Sequence, residues 1–156
     1  MSSIVEIIRP VRDSDADEWL RMRMALWPQA DSDMEATEIS QFLAAYPRPH
    51  LPMLHAAFVC PRPDGGLCGL AEVSIRDSAP GCKTDRIGFL EGWYVDPDRR
   101  GKGVGRELVI AVEGWARTAG CLEMASDTDP SYPVSPAAHA ALGYQEVARY
   151  FRKDLL

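Results

Sequence analysis

One stretch of the chain constrains its fold more than any other: the glycine-rich segment "DRRGKGVG", residues 98–105. The apolar run "RIGFLEGWYV" precedes it, and the amphipathic run "RELVIAVEGWARTAG" follows it. A strand, a glycine-rich turn and a helix in this order place the N–H groups of the turn at a helix N-terminus. There they lack partners within the helix and lie at the positive end of its dipole. The order therefore predicts a turn that binds an anion, and a phosphate group suits it.

The composition of this segment supports the same interpretation. Glycines at 101, 103 and 105 would let a pyrophosphate approach without a Cβ in the way. The cationic side chains of the segment and its flank are those of Arg99, Arg100, Lys102 and Arg106. The spacing matches neither a P-loop, Gly-x-x-x-x-Gly-Lys-[Ser/Thr], nor a dinucleotide fingerprint, Gly-x-Gly-x-x-Gly. A glycine-rich turn with a solvated basic face remains the alternative.

Length and hydrophobicity bound the architecture. The chain has 156 residues, of which 46% are hydrophobic and 26% charged. This is enough for one core and too little for two, so we expect a single domain over residues 1–156. No apolar run is long enough to span a membrane, and the first residues do not resemble a signal peptide. We therefore expect a cytoplasmic protein with no membrane partner.

Charge and cysteine content restrict the partners. The net charge of −6 argues against a nucleic-acid-binding domain, which would need a broad basic face. It is compatible with a cationic small molecule, because an acidic field attracts cations, although most acidic proteins are simply soluble. The four cysteines are widely spaced and include no Cys-x-x-Cys pair, which predicts buried free thiols and no metal site.

Hydrophobic periodicity predicts the element order β-α-α-β-β-β-α-β-α-β. The first strand is expected over Ile4–Pro10, and the second helix over Met34–Tyr46. The helix after the glycine-rich segment ends at Gly120, and Ser135 caps a short helix. The run "YQEVARYFRKDL" predicts a final strand. This order indicates an α/β fold with a mostly antiparallel sheet and one parallel pair, where a helix crosses over.

The pattern [Arg/Gln]-x-x-Gly-x-[Gly/Ala] runs from Arg100 to Gly105, follows "GWYVDP" and opens a helix. It resembles the coenzyme A pyrophosphate loop of the GCN5-related N-acetyltransferase superfamily, and the element order of essentially the whole chain is similar to that fold. The resemblance implies a mixed, mostly antiparallel sheet with helices on both faces, acetyl-CoA as co-substrate and no metal. In that family a bulged strand pairs with the pantetheine arm and then splays from the next strand, here "CLEMASD", so that the thioester lies in the gap. The cofactor-binding residues that this implies are Trp93, Tyr94, Val95, Arg100, Gly101, Lys102, Gly103, Val104, Gly105 and Arg106.

Short sequence motifs outside the loop narrow the resemblance to one family within the superfamily. "LWP", "EVSIR", "FLEGWYV" and "EMASDT" look like the aminoglycoside 6'-N-acetyltransferases. That family acetylates a primary amine of a polycationic aminosugar antibiotic, which implies a role in antibiotic resistance. Its members often pair, so a homodimer is expected. By resemblance Trp27 forms a wall of the sugar site, and an ordinary core tryptophan is the alternative.

The chemistry requires a base. An alkyl ammonium must lose a proton before it attacks a thioester, and a nearby carboxylate can accept that proton and hold the cationic sugar. The candidates are Glu72, Glu91 and Asp127, each in or at the end of an otherwise apolar strand. The alternative is that these carboxylates only keep the strand ends soluble or form a salt bridge to Arg76 or Arg86. Glu91 and Asp127 match the family's sugar-binding carboxylates, and Asp127, beside the gap, is the preferred base.

Two positions depart from the superfamily pattern. The tyrosine that often serves as general acid, four residues before Gly-[Phe/Tyr], is His139 here. His139 is a candidate to protonate the sulfur, or else a helix histidine with satisfied hydrogen bonds. The asparagine that contacts the pantetheine arm is replaced by Tyr132. Since a thiol pKa is only about 8.5, the thiolate can also leave without an acid.

Two alternatives to an aminoglycoside acetyltransferase stay open. The first is the same fold and chemistry acting on another amine, such as a polyamine or a protein N-terminus. The second is a non-catalytic acyl-CoA-binding module, which would bind the cofactor and release no thiol.

Overall fold

The computed structural model describes residues 7–45 and 54–156 of the chain. These residues form a five-stranded sheet and four α-helices, together with two single turns of 3₁₀-helix. The elements are β1 (Arg9–Pro10), α1 (Ala16–Leu26), α2 (Ser32–Ala45), β2 (His55–Pro61), β3 (Leu67–Arg76), β4 (Ile87–Val95), α3 (Val104–Thr118), β5 (Glu123–Ser126) and α4 (Ser135–Ala141).

The strands lie in sequence order across the sheet, from β1 to β5. Neighbours from β1 to β4 are antiparallel, whereas β4 and β5 are parallel and are joined by the α3 crossover. This topology confirms the predicted sheet, since a parallel pair needs a long connection that a helix supplies.

Helices cover both faces of the sheet. Helix α1 buries Trp19 and Met22 with Ile39 of α2 against one face, and α3 buries Leu108 and Val112 against the other. The pattern of α3 is strongly amphipathic, so its apolar stripe turns toward the sheet and its charged side toward solvent. Strand β3 lies between the two layers, and its first eight residues are buried.

Both ends of the chain depart from the predicted strands. Strand β1 comprises only Arg9–Pro10, and the predicted residues 4–6 lie outside the described part. The predicted end of α2 at Tyr46 lies outside it as well. The predicted final strand is wrong for the isolated chain, because residues 145–156 form neither helix nor strand and are exposed. A strand needs a neighbour to satisfy its backbone groups, and this segment pairs with no described strand.

Candidate active site

Strands β4 and β5 separate at a defined point. Their parallel pairing covers Ile87–Leu90 on β4 and ends with the pair Leu90–Ser126, while β4 continues to Val95. On the other side of β4 the register shifts, so that Gly92 faces Glu72 and Leu90 faces Val73. Glu91 is therefore the extra residue of a bulge, which bends the strand away from its neighbour. The bulge residue directly precedes Gly92.

The glycine-rich loop lies at the end of the diverging strand. Gly103 is the N-cap of α3 with φ of +92°, a left-handed conformation that other residues rarely adopt. It turns the chain so that the first N–H groups of α3 are available at the loop, with Lys102 and Arg106 exposed beside them. The loop therefore combines backbone donors, a helix N-terminus and positive charge, as an anion site requires.

A buried carboxylate fixes the start of this loop. Asp96, which directly follows β4, accepts hydrogen bonds from Arg21 of α1 at 2.9 Å and from Arg62 at 2.8 Å. Burial raises the pKa of Asp96, but the bonds from the two arginines outweigh it and hold the pKa below its ordinary value. Arg100 turns back toward the strand, and its Nε donates to the carbonyl oxygen of Val95 at 2.8 Å. These bonds tie the loop to α1, to the turn after β2 and to the end of β4.

Two of the three predicted carboxylates are paired. Glu91 accepts from Nη2 of Arg76 at 2.8 Å with both oxygens, and also from the hydroxyl of Ser74. Glu72 is buried and accepts from the Arg23 guanidinium with both of its oxygens. Both carboxylates therefore have a cationic partner before any substrate arrives.

Asp127 is different. It follows β5 directly, at the point where β4 and β5 have separated, and it is exposed. Its carboxylate makes no hydrogen bond or ion pair with any other residue that the structure describes. Of the three carboxylates it is the one that has no cationic partner among the described residues.

Trp27 lies close to the bulge. A Cβ on Gly92 would come within 3.0 Å of its ring, and within 3.5 Å of Oε2 of Glu72. The Arg23 guanidinium lies 5.9 Å from the centroid of the same ring. The structure thus brings Trp27, Glu72 and the bulge together on the α1 side of the sheet, and Gly92 leaves room for the indole.

His139 lies on the opposite side, among aromatic rings. Its ring is edge-on to Trp93 at 5.3 Å and to Tyr144 at 5.8 Å between centroids. Its Nε2 lies 2.8 Å from Oγ of Ser126, and its Nδ1 lies 2.8 Å from the carbonyl oxygen of Ser135. Trp93 is fixed in turn, since its indole N–H donates to the carbonyl oxygen of Gly105 at 3.0 Å.

Tyr132 lies in the loop between β5 and α4, and its hydroxyl donates to the carbonyl oxygen of Leu26 at the end of α1. This bond connects the loop after β5 to the helix that precedes Trp27. The hydroxyl therefore has a protein partner, and the contact with the pantetheine arm that the resemblance implied stays a prediction.

Four residues that organise this region were not predicted from the sequence: Arg21, Arg23, Asp96 and Ser126. One signal was available for the arginines, because two cations interrupt the apolar stretch "WLRMRMALW" and their charges need partners. Nothing in the sequence indicated the contact between Ser126 and His139, since it joins β5 to α4 across a loop.

Within residues 7–45 and 54–156 no helix is long and apolar enough to cross a membrane. The same residues contain no group of three or more His, Cys, Asp or Glu side chains placed to hold a metal ion.

Comparison with known proteins relates this site to a family. The acetyltransferase (GNAT) family model matches residues 16–144. Aminoglycoside N(6')-acetyltransferase type 1 of Klebsiella aerogenes is 45% identical over 152 residues, covering 96% of this chain and 97% of that protein. The enzyme of the same name from Stenotrophomonas maltophilia is 42% identical over 95% of this chain and 93% of its own length.

Solved structures agree with the sequence relatives. The aminoglycoside N-acetyltransferase AAC(6')-Iy in complex with CoA has a TM-score of 0.81 and 35% identity, covering 94% of this chain and 93% of that one. AAC(6')-Iy in complex with the bisubstrate analogue CoA-S-monomethyl-acetylneamine has a TM-score of 0.81 and 34% identity, covering 95% of this chain and 97% of that one.

Proposed function

The chain belongs to the acetyltransferase (GNAT) family and, within it, to the aminoglycoside N(6')-acetyltransferases, and from this we propose that it transfers the acetyl group of acetyl-CoA to the 6'-amine of aminoglycosides. The observation that carries the proposal is the separation of β4 from β5 directly before a glycine-rich helix N-terminus. It offers a gap for a thioester and an anion site for a pyrophosphate on the same strand. Such an activity would confer antibiotic resistance.

The cofactor side of the proposal uses the backbone of residues 93–95 and the loop 100–106. Strand β4 continues past its last pair with β5, so its backbone groups on that edge can bind an extended pantetheine arm. The N–H groups at Gly103 and beyond, with Lys102 and Arg106, suit the pyrophosphate. Acetyl-CoA supplies the activated acetyl group, and these residues hold and orient it.

The amine side uses Asp127. A carboxylate with no partner in the described part of the chain can both attract an ammonium group and accept its proton, whereas Glu72 already has both oxygens on Arg23. We assign Glu72 a structural role in this proposal, and we assign Glu91 to binding the cationic sugar together with Trp27. A positioned base contributes about 10²-fold to 10⁴-fold in rate.

The exposed C-terminal segment supports a homodimer. Residues 145–156 extend without secondary structure and leave Tyr150 79% and Phe151 91% exposed. The outer edge of β5 pairs with no other described strand. Because apolar side chains and an open edge are both unfavourable in water, the segment suits a second copy of the chain. Sedimentation of the wild type should show a dimer and Phe151→Asp a monomer, and a wild-type monomer would contradict the assignment.

The cytoplasm is the compartment that the thiols favour. All four cysteines lie outside any disulfide, and Cys60, Cys68 and Cys121 are buried. Proteins of oxidising compartments more often form disulfides, so free thiols support a reducing environment. The acidic net charge supports a cationic small molecule as partner and not a nucleic acid.

A pair of antibiotics tests the function. The protein is incubated with acetyl-CoA and two aminoglycosides that differ only in having an amine or a hydroxyl at the 6' position. We expect thiol release with the 6'-amine and little with the 6'-hydroxyl, because a neutral amine attacks a thioester directly whereas an alcohol must be deprotonated as it attacks. Equal rates would place the acetylated position elsewhere. Release only with spermine or a peptide would identify a different amine, and binding of acetyl-CoA without release for any amine would identify a sensor.

A further inference from the structure

We propose that Ser126 and His139 form a proton relay that faces the thioester and carries the proton lost by the attacking amine to the CoA sulfur. The inference rests on the proposed function and adds to it a hydroxyl group with its own partner.

The hydrogen bonds of His139 define its tautomer. Its Nδ1 lies 2.8 Å from the carbonyl oxygen of Ser135, which can only accept, and 3.2 Å from the Ser135 hydroxyl, so we assign the hydrogen to Nδ1, toward the shorter contact. In the neutral ring Nε2 then keeps its lone pair and accepts the hydroxyl hydrogen of Ser126 at 2.8 Å. The other acceptors near that hydroxyl, the carbonyl oxygens of Leu90 and Asp127, are both at 3.5 Å. In this hydrogen bond Ser126 is therefore the donor and His139 is the acceptor.

The position of Ser126 places this pair at the gap. Ser126 is the last residue of β5, and its register partner Leu90 is the last residue of β4 that pairs with β5. It points to the same face as Met124, which packs against the α3 side of the core. On that side Trp93, one of the strand residues assigned to the pantetheine arm, contacts the His139 ring. The hydroxyl thus lies where the two strands open, on the side assigned to the cofactor.

The tautomer also changes the role of His139. Direct protonation of the sulfur would require a hydrogen on Nε2, but the one N–H of the neutral ring is bound to Ser135. The lone pair of Nε2 instead makes the ring an acceptor for Ser126. His139 can take a proton only through that hydroxyl, and can return it by the same route.

The relay accounts for every proton of the transfer. Attack by a neutral amine forms an N–C bond, the C–S bond breaks, and one proton must move from nitrogen to sulfur. Oγ of Ser126 accepts the N–H proton while its own proton passes to Nε2 of His139, which becomes an imidazolium. When the C–S bond breaks, Nε2 returns the proton to Oγ, and the Ser126 hydroxyl proton passes to the thiolate. Because each pair of protons moves together, no free alkoxide forms, and both residues return to their first state. Asp127 has a separate task, the removal of the earlier proton from the ammonium group.

Kinetics of four variants test the relay, with thiol release from acetyl-CoA and a 6'-amine aminoglycoside as the assay. Ser126→Ala and His139→Gln should each lower kcat by about 10-fold to 100-fold while both KM values stay near wild type, since only proton transfer is lost. Ser126→Thr keeps the hydroxyl and should restore most of kcat. The double variant should be no slower than the slower single one, because the two residues act as one unit. Ser78→Ala, an exposed serine in a loop, is the matched control.

A spectroscopic measurement separates the relay from a structural role. The chain has three histidines, so ¹⁵N spectra of the imidazoles can be assigned with His139→Gln. The neutral His139 ring should show a protonated Nδ1 and a hydrogen-bonded, unprotonated Nε2, and the Nε2 signal should shift in a folded Ser126→Ala protein. A neutral ring protonated at Nε2 would overturn the proposal. If Ser126→Ala releases thiol at the wild-type rate, the relay alone is overturned. If the wild type itself releases no thiol, the proposed function and the relay are overturned together.

Discussion

The guanidinium of Arg23 and the carboxylate of Glu72 form a bidentate ion pair that joins α1 to β3, with Nε 2.9 Å from Oε2. Both side chains are about nine-tenths buried. The same guanidinium donates to Glu35 at 2.7 Å and to Glu38 at 2.9 Å, so it also holds α2. One cation therefore organises three carboxylates beside Trp27.

Breaking this pair should destabilise the fold. Arg23→Gln leaves a buried carboxylate without its cation, which typically costs about 3 kcal/mol. Glu38→Gln removes a bond to a carboxylate that is 60% exposed and should cost less than about 1 kcal/mol. Urea unfolding of both variants measures the difference, and equal losses would show that the buried pair has no special weight.

Glu72→Gln should affect stability more than chemistry. The carboxylate is committed to Arg23, so we expect kcat to stay within about 5-fold of wild type and the unfolding free energy to fall. Steady-state kinetics and urea unfolding on the same preparation decide the matter. A loss of kcat of about 10²-fold or more in a folded protein would make Glu72 the base.

Asp127→Asn should lower kcat by about 10²-fold to 10⁴-fold, because the variant loses the base. The KM for acetyl-CoA should change little, because no contact with the phosphates is lost. Asp85→Asn, an exposed aspartate in the loop before β4, is the control for charge. If Asp127→Asn kept the wild-type kcat across neutral pH, another residue would be the base.

Glu91→Gln should mainly raise the KM for the aminoglycoside, by about 10-fold, because the side chain would lose its charge while the amide keeps its shape. Arg76, which already pairs with Glu91, reduces the effect. Initial rates at varied aminoglycoside and saturating acetyl-CoA give the KM, and an unchanged KM would remove Glu91 from the sugar site.

Gly103→Ala should weaken acetyl-CoA binding by more than its effect on stability explains. Both Gly103 and Gly120 have positive φ, at +92° and +88°, so an alanine strains the backbone by about 1–2 kcal/mol at either position. Gly120 lies past the other end of α3 and is the matched control. Calorimetric titration with acetyl-CoA should show weaker binding for Gly103→Ala alone. Equal affinities in the two variants would contradict the phosphate site.

The bonds of Asp96 should make stability depend on pH. Its pKa in the folded chain lies below the ordinary value of 3.8, so its contribution is fully present above that value and is lost as the pH falls through the lowered pKa. Asp96→Asn should cost about 2 kcal/mol at neutral pH, and the difference from wild type should shrink below pH 3.8. Urea unfolding at several pH values measures it, and a difference independent of pH would contradict the assigned charge.

The sequence by itself determined those features that depend on neighbouring residues. The spacing of Leu108, Val112 and their neighbours set the buried stripe of α3, and Gly103 and Gly120 set its two ends. The glycine-rich loop followed from the same local order. The final strand was not predicted correctly in this way, because residues 145–156 pair with no strand in the described part of the chain.

The tertiary structure decided which charged and polar side chains are free to act. Glu72 and Asp127 look alike in sequence, but Glu72 meets Arg23, 49 residues away, whereas Asp127 meets no described partner. His139 likewise acquires its tautomer from Ser126 and Ser135 together. Such pairings depend on the crossover of α3 and the packing of α1 on the sheet, and local patterning carries no information about which distant side chain fills a given position.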